Sequence, residues 1–248
     1  MSETAKRIGQ WILWTLATIG LGLVFLVPTG IVHEWINGRL GTQRAMAMPW
    51  IALYADHTAM TLIAIILIAI FSKGRMGEYG LQRPQGKSYV LASIAWGAFF
   101  GILMTVADYL PSLLTHNPPE DYALTPVNIS GWLSFSFIYV GFTEELPFRG
   151  LLQTFLMQRT TGRIRIGSYD MHAAGVVLAV LFALVHATNF ATRPFWFALA
   201  QQVYALALGV LYAYWREKSG SLTAAIIGHN LSDGVESAMV FFLGWLWR

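Results

Sequence analysis

Seven apolar runs, near residues 10–32, 50–71, 88–110, 128–157, 172–190, 195–215 and 221–246, are each long enough to cross about 30 Å of hydrocarbon as a helix. Open sheet edges cannot sit in lipid, and the runs lack the alternation of barrel strands. The expected fold is therefore all-α, a polytopic transmembrane helical bundle of about seven spans, within a range of six to eight. Residues 1–248 read as a single integral-membrane domain without internal repeats. Composition agrees: 12% of residues are charged, against about 25% in a soluble domain. The first run is followed by no small-residue cleavage site and soluble body, so it reads as a retained anchor. Cysteine is absent, which excludes disulfides, thiolate metal sites and a cysteine nucleophile. The net charge of +3 is slight and gives no sign of nucleic-acid binding.

The placement of that charge sets an expected orientation. With the N-terminus in the cytoplasm, Lys6, Arg7, Lys73, Arg75, Arg83, Lys87, Arg159, Arg163, Arg165, Arg216 and Lys218 fall inside, and Arg39, Arg44, Arg193 and Arg248 fall outside. The segment holding Pro111, Pro118, Pro119, Glu120 and Asp121 is then an outer loop free of Lys and Arg. Trp11, Trp50, Trp132, Trp196, Trp215, Trp245 and Trp247 fall near span ends, where an interfacial aromatic belt belongs. The expected location is the cytoplasmic membrane of a prokaryote.

Against this background Glu144, Glu145 and Arg149 stand out, because ionisable groups inside a span cost several kcal/mol and mark cavities and function. Glu145 and Arg149 are four residues apart, with the acid first, and share a helix face. Glu144 points elsewhere and is left for a partner on another helix. Phe182, His186 and Asn189 share a face of the fifth run. His229 and Asp233 are one turn apart in the seventh, with Glu236 a further turn along. Two intramembrane histidines, a free glutamate and an i,i+4 acid are parts for general acid–base hydrolysis. A purely structural ion network is the bland alternative.

Other protease spellings fail. His33-Glu34-Trp-Ile-Asn37 begins like the zinc motif HExxH and ends in Asn; it reads as interfacial. There is no GxSG box, and Tyr169-Asp170 has no following GxGD and lies in a basic loop. Asp56, His57 and Asp108 lie near span ends, where structural or interfacial roles are expected.

Glu144-Glu145-x-x-x-Arg149, Phe182-x-x-x-His186 and His229-x-x-x-Asp233, in that order, resemble the three motifs of the CAAX protease and bacteriocin-processing family, which includes the Ras-converting prenyl endopeptidases and abortive-infection proteins. Glu-Glu-Leu-Pro-Phe-Arg-Gly and Ser-Gly-Ser-Leu-Thr-Ala-Ala-Ile-Ile-Gly-His-Asn strengthen the likeness, which covers about residues 128–240. The resemblance implies a glutamate-dependent intramembrane endopeptidase with its catalytic core in that segment. It implies that Glu144 and His186 activate water, that His229 and residue 233 bind the oxyanion, and that Glu145 and Arg149 support the first helix. No cofactor is implied. The implied partners are the bilayer and a membrane-associated protein or peptide substrate, cut near the C-terminus of an anchored or lipid-modified chain.

Where prenyl endopeptidases commonly carry Asn, this chain has Asp233, and an ionised aspartate repels an oxyanion. Asp233 must then be protonated, orient His229 or serve another site. Two further readings compete: a metal-dependent protease holding zinc with Glu144, His186, His229 and Asp233, and a non-catalytic immunity or peptide-binding membrane protein.

Overall fold

The computed structural model describes residues 2–120 and 122–248; Asp121 of the acidic outer loop lies outside the described residues. The chain is a helical bundle. Helix α1 (Glu3–Leu40) leads through the short α2 (Thr42–Ala47) into α3 (Trp50–Ser72), and α4 (Val90–Thr115) follows. Residues 126–157 then form one unbroken helical column of alternating gauge: α5 (Pro126–Ser134), a π segment (Phe135–Tyr139), α6 (Val140–Glu145), a second π segment (Leu146–Gln153) and α7 (Thr154–Met157). A two-stranded hairpin of β1 (Arg163–Ile166) and β2 (Tyr169–His172) precedes α8 (Ala173–Val185), α9 (Phe195–Ser219) and α10 (Thr223–Leu246).

Among the described residues five helical segments are long and apolar enough to cross a membrane: Glu3–Leu40, Trp50–Ser72, Val90–Thr115, Ala173–Ala191 and Phe195–Ser219. The protein is an integral, multi-pass membrane protein. The two other expected spans, the 126–157 column and α10, are helical too. They carry the polar groups that lower their hydropathy, and the column changes gauge along its length. Helix α1, at 38 residues, exceeds the run expected at 10–32. Helix α4 kinks at Tyr109, whose φ of −114° and ψ of 22° are non-helical; Pro111, two residues on, cannot donate to the helix ladder.

The basic stretch expected as a plain loop is instead an antiparallel hairpin, with Arg163 opposite His172 and Arg165 opposite Asp170. Gly167 turns it with φ +60°, as a two-residue hairpin loop requires. Glu217 on α9 anchors it, accepting from Arg163 Nη2 at 2.9 Å and from the His172 backbone N–H at 2.6 Å.

Lipid gives helices no hydrophobic reason to associate, so close backbone approach must supply packing. Helix α10 lies against α4 in this way: a Cβ on Gly101 would stand 2.7 Å from the Ser232 carbonyl oxygen. The innermost apolar layer, including Ile68, Leu146, Leu151, Leu178 and Tyr212, surrounds the middle of the column. Leu16, Ile31, Ile66, Leu91, Ile138 and Val203 point outward, as a lipid-facing surface requires.

Candidate active site

The acidic segment sits where the column changes gauge. Pro147 has no N–H and cannot bond the carbonyl four residues back; the π segment begins one residue earlier, at Leu146. Wide turns of this kind recur at functional sites. Backbone groups of the upper part of the column find their partner on α10. The Asn230 side chain accepts from the Gly141 N–H at 2.7 Å and donates to the Ile138 carbonyl at 3.1 Å. The approach is close enough that a Cβ on Gly141 would lie 2.7 Å from the Ile226 carbonyl oxygen. Asn230 stood in the polar run of the seventh span, yet spacing could not show that it clasps the column.

Glu145 and Arg149 are fully buried and meet at 3.3 Å (Oε2 to Nε), the i,i+4 contact expected. The pair is close but not aligned as a hydrogen bond, and Arg149 Nη2 has no hydrogen-bond partner among the described residues. Arg149 Nη1 donates to the Leu178 carbonyl at 3.4 Å, and its guanidinium lies 4.8 Å from the Phe182 ring centre. The other Glu145 oxygen, Oε1, is 2.9 Å from His229 Nδ1. The carboxylate thus joins the column to α10, while Tyr212 stacks on the His229 ring at 5.7 Å and 18°.

In front of this network lies a cavity of about 310 Å³ whose wall includes Glu144, His186, His229 and Asp233. Glu145 and Arg149 stand behind it. The four cavity residues come from the column, the end of α8 and α10. His186 Nδ1 is 2.8 Å from the Phe182 carbonyl; a carbonyl only accepts, so Nδ1 carries the hydrogen and Nε2 of the neutral ring is the free base. The same logic protonates His229 Nδ1 against Glu145. His229 Nε2 then lies 3.6 Å from Asp233 Oδ2 and 3.8 Å from Glu144 Oε2. Glu236, with Asp108, lines the same cavity, and the Tyr204 hydroxyl donates to Asp108 at 2.8 Å. Among the described residues no three His, Asp or Glu side chains are arranged to hold one metal ion.

Glu144 does find a partner on another helix. It is His57 of α3, whose Nε2 is 3.2 Å from Glu144 Oε1. His57 Nδ1 is 2.6 Å from Asp56 Oδ1, and Asp56 Oδ2 is 2.6 Å from His33 Nδ1 on α1. Structural or interfacial roles were expected for these three residues. The only signal for the contact was an Asp-His pair inside an apolar run; which way it faced depended on the rotation of α3 in the bundle.

Residues 126–235 match the family model described as Type II CAAX prenyl endopeptidase Rce1-like. Neither the comparison with curated proteins nor that with solved structures finds a match. The matched segment takes in Glu144, Glu145, Arg149, His186, His229 and Asp233, and leaves His33, Asp56, His57 and Asp108 outside it. Over that segment, 110 of the 248 residues, the chain is similar to the type II prenyl endopeptidases of the CAAX protease and bacteriocin-processing family.

Proposed function

We propose that this protein is a glutamate-dependent intramembrane endopeptidase that hydrolyses a peptide bond in or beside the bilayer. One observation carries the reading: Glu144, His186, His229 and Asp233, from three separate stretches of helix, line one cavity. In this mechanism Glu144, aided by Nε2 of His186, takes a proton from water as the water oxygen attacks the peptide carbonyl carbon. The carbonyl oxygen becomes an oxyanion facing His229. Glu144 returns the proton to the amide nitrogen, the C–N bond breaks and the amine leaves. For His229 Nε2 to donate to the oxyanion the ring must hold both protons, and Glu145, Asp233 and Glu144 around it provide the balancing negative charge. Asp233 then acts on His229 rather than on the oxyanion, which accounts for an acid where an amide is common. The substrate is an anchored or lipid-modified chain cut near its C-terminus.

The test uses purified protein in lipid nanodiscs with two internally quenched probes, a farnesylated peptide ending in a CAAX sequence and an unmodified transmembrane peptide. Glu144→Gln and His186→Ala are each expected to lower cleavage by about 10²-fold or more, with unchanged unfolding behaviour. Full cleavage by either variant would overturn the mechanism, and full activity after exhaustive chelation, with no bound metal, leaves a zinc version without a role.

A further inference from the structure

The hydrogen-bonded line from Glu144 outward has no part in that mechanism. It runs from Glu144 to His57 at 3.2 Å, from His57 to Asp56 at 2.6 Å and from Asp56 to His33 at 2.6 Å. It is built from alternating carboxylates and imidazoles, so every link is a group that can both take and give a proton. Its inner end forms the cavity wall and its outer end is open: the His33 side chain is 33% exposed and borders a surface cleft with Asn37 and Thr42. His57 itself is wedged edge-on against Phe135 at 5.0 Å, which fixes the ring in the line. The titratable groups around it are Asp56 on its own helix, Glu144 on the column, and His33 and Glu34 on α1. His186 and His229 lie beyond Glu144.

A structural role alone leaves one feature unexplained. Both nitrogens of the His57 ring face carboxylate oxygens, and carboxylates only accept unless protonated, so an exchangeable proton is held at this point of the line. Peptide hydrolysis generates a need for such a path. When the amine has left, the new carboxylic acid product gives up its proton to the nearest base, Glu144, while the amine gains one from the bulk. The overall change balances, but Glu144 is left protonated inside the membrane and must be emptied before the next water can be activated.

We propose that His57, held by Asp56 and His33, is a positioning and proton-relay residue that resets Glu144 after each turnover; the inference rests on the endopeptidase reading. With its proton on Oε1, Glu144 passes it to a bare His57 Nε2, His57 gives its Nδ1 proton to Asp56, and the Asp56 carboxyl turns over to hand that proton to His33 Nδ1. The His33 ring releases one to interfacial water. Only N–H and O–H bonds are exchanged, and no oxidant or co-reactant is needed.

His33→Gln is the decisive variant, because it touches Glu144 only through the line and lies where a change of side chain disturbs little packing. Together with Asp56→Asn it is expected to lower kcat about tenfold, to leave KM within about twofold and to alter the pH profile of kcat. Millimolar imidazole should restore much of the His33→Gln loss. Wild-type kcat and pH profile in both variants, or losses that imidazole does not relieve, would overturn the relay. A second measurement does not depend on turnover: in ¹⁵N-histidine NMR of nanodisc protein, Asp56→Asn should move the ring signals of both His33 and His57, and Glu144→Gln those of His57. Absence of those shifts also overturns it. If wild-type protein cleaves neither probe, or Glu144→Gln cleaves both, the endopeptidase reading fails instead, and the NMR result still decides whether the line exists.

Discussion

Arg149 shows how much of this site rests on single side chains. It is wholly enclosed, its charge answered by Glu145 at 3.3 Å and by the face of Phe182. Removing one member of a buried pair strands the other, which costs about 3–5 kcal/mol, whereas removing both is often nearly neutral. Arg149→Leu is therefore expected to lower unfolding free energy by about that amount in a denaturant titration in micelles. Glu145→Gln with Arg149→Leu should recover a good part of it; a double variant as unstable as the sum of the singles would contradict the coupling. The i,i+4 spacing made this pair legible in the chain, and it also showed that Glu144 faced away. It could not show that Glu145 reaches His229, 84 positions on, or that Glu144 meets His57. Such contacts depend on how each helix is rotated about its axis, and α3, whose polar groups are adjacent rather than spaced by a helical turn at Asp56-His57, leaves no clear stripe from which to read that rotation.

At the scale of elements the column 126–157 departs most from a reading by period. A spacing of 100° per residue describes an ordinary α-helix, and the two π segments break it. Pro147 was visible in the sequence, but the compensation that makes its neighbourhood tolerable in lipid comes from Asn230 on another helix. Asn230→Leu would leave the Gly141 N–H and the Ile138 carbonyl without their partner, at about 1–3 kcal/mol for each group. Hydrogen exchange at the Gly141 amide should then become measurably faster while amides in α9 stay protected. Equal protection in both proteins would mean that the clasp adds nothing. The hairpin was legible in principle, since Arg-Ile-Arg-Ile alternates and Gly167-Ser168 suits a two-residue turn. Its charge suggested a plain basic loop, and the deciding anchor, Glu217, lies on α9.

Across the whole molecule the apolar runs announced the bundle, because lipid admits so few folds. The two least apolar of them, the column and α10, are the ones that carry the candidate site, since residues turned towards a polar cavity escape the rule that governs the lipid face. The cavity wall also includes Arg193, which pairs with Glu120 at 2.9 Å, so this pocket reaches the bundle end formed by the close of α4 and the start of α9. The relay begins at that end as well: the Trp50 indole, at the start of α3, donates to Asn128 at 2.9 Å, near the start of the column. The distribution of Lys and Arg leads to the expectation that this end lies outside. A chain without cysteine allows a direct test. In intact cells an impermeant maleimide should label Asn117→Cys, beyond α4 at the cavity end, and should label Lys87→Cys, before α4 at the other end, only after permeabilisation. If the pattern is reversed, the N-terminus lies outside and the cavity serves the cytoplasm. The side served by this end is also testable kinetically: in proteoliposomes of fixed orientation, turnover should respond to the pH on the His33 side of the bilayer and not to the pH on the opposite side, because the cavity and the line from Glu144 both open there.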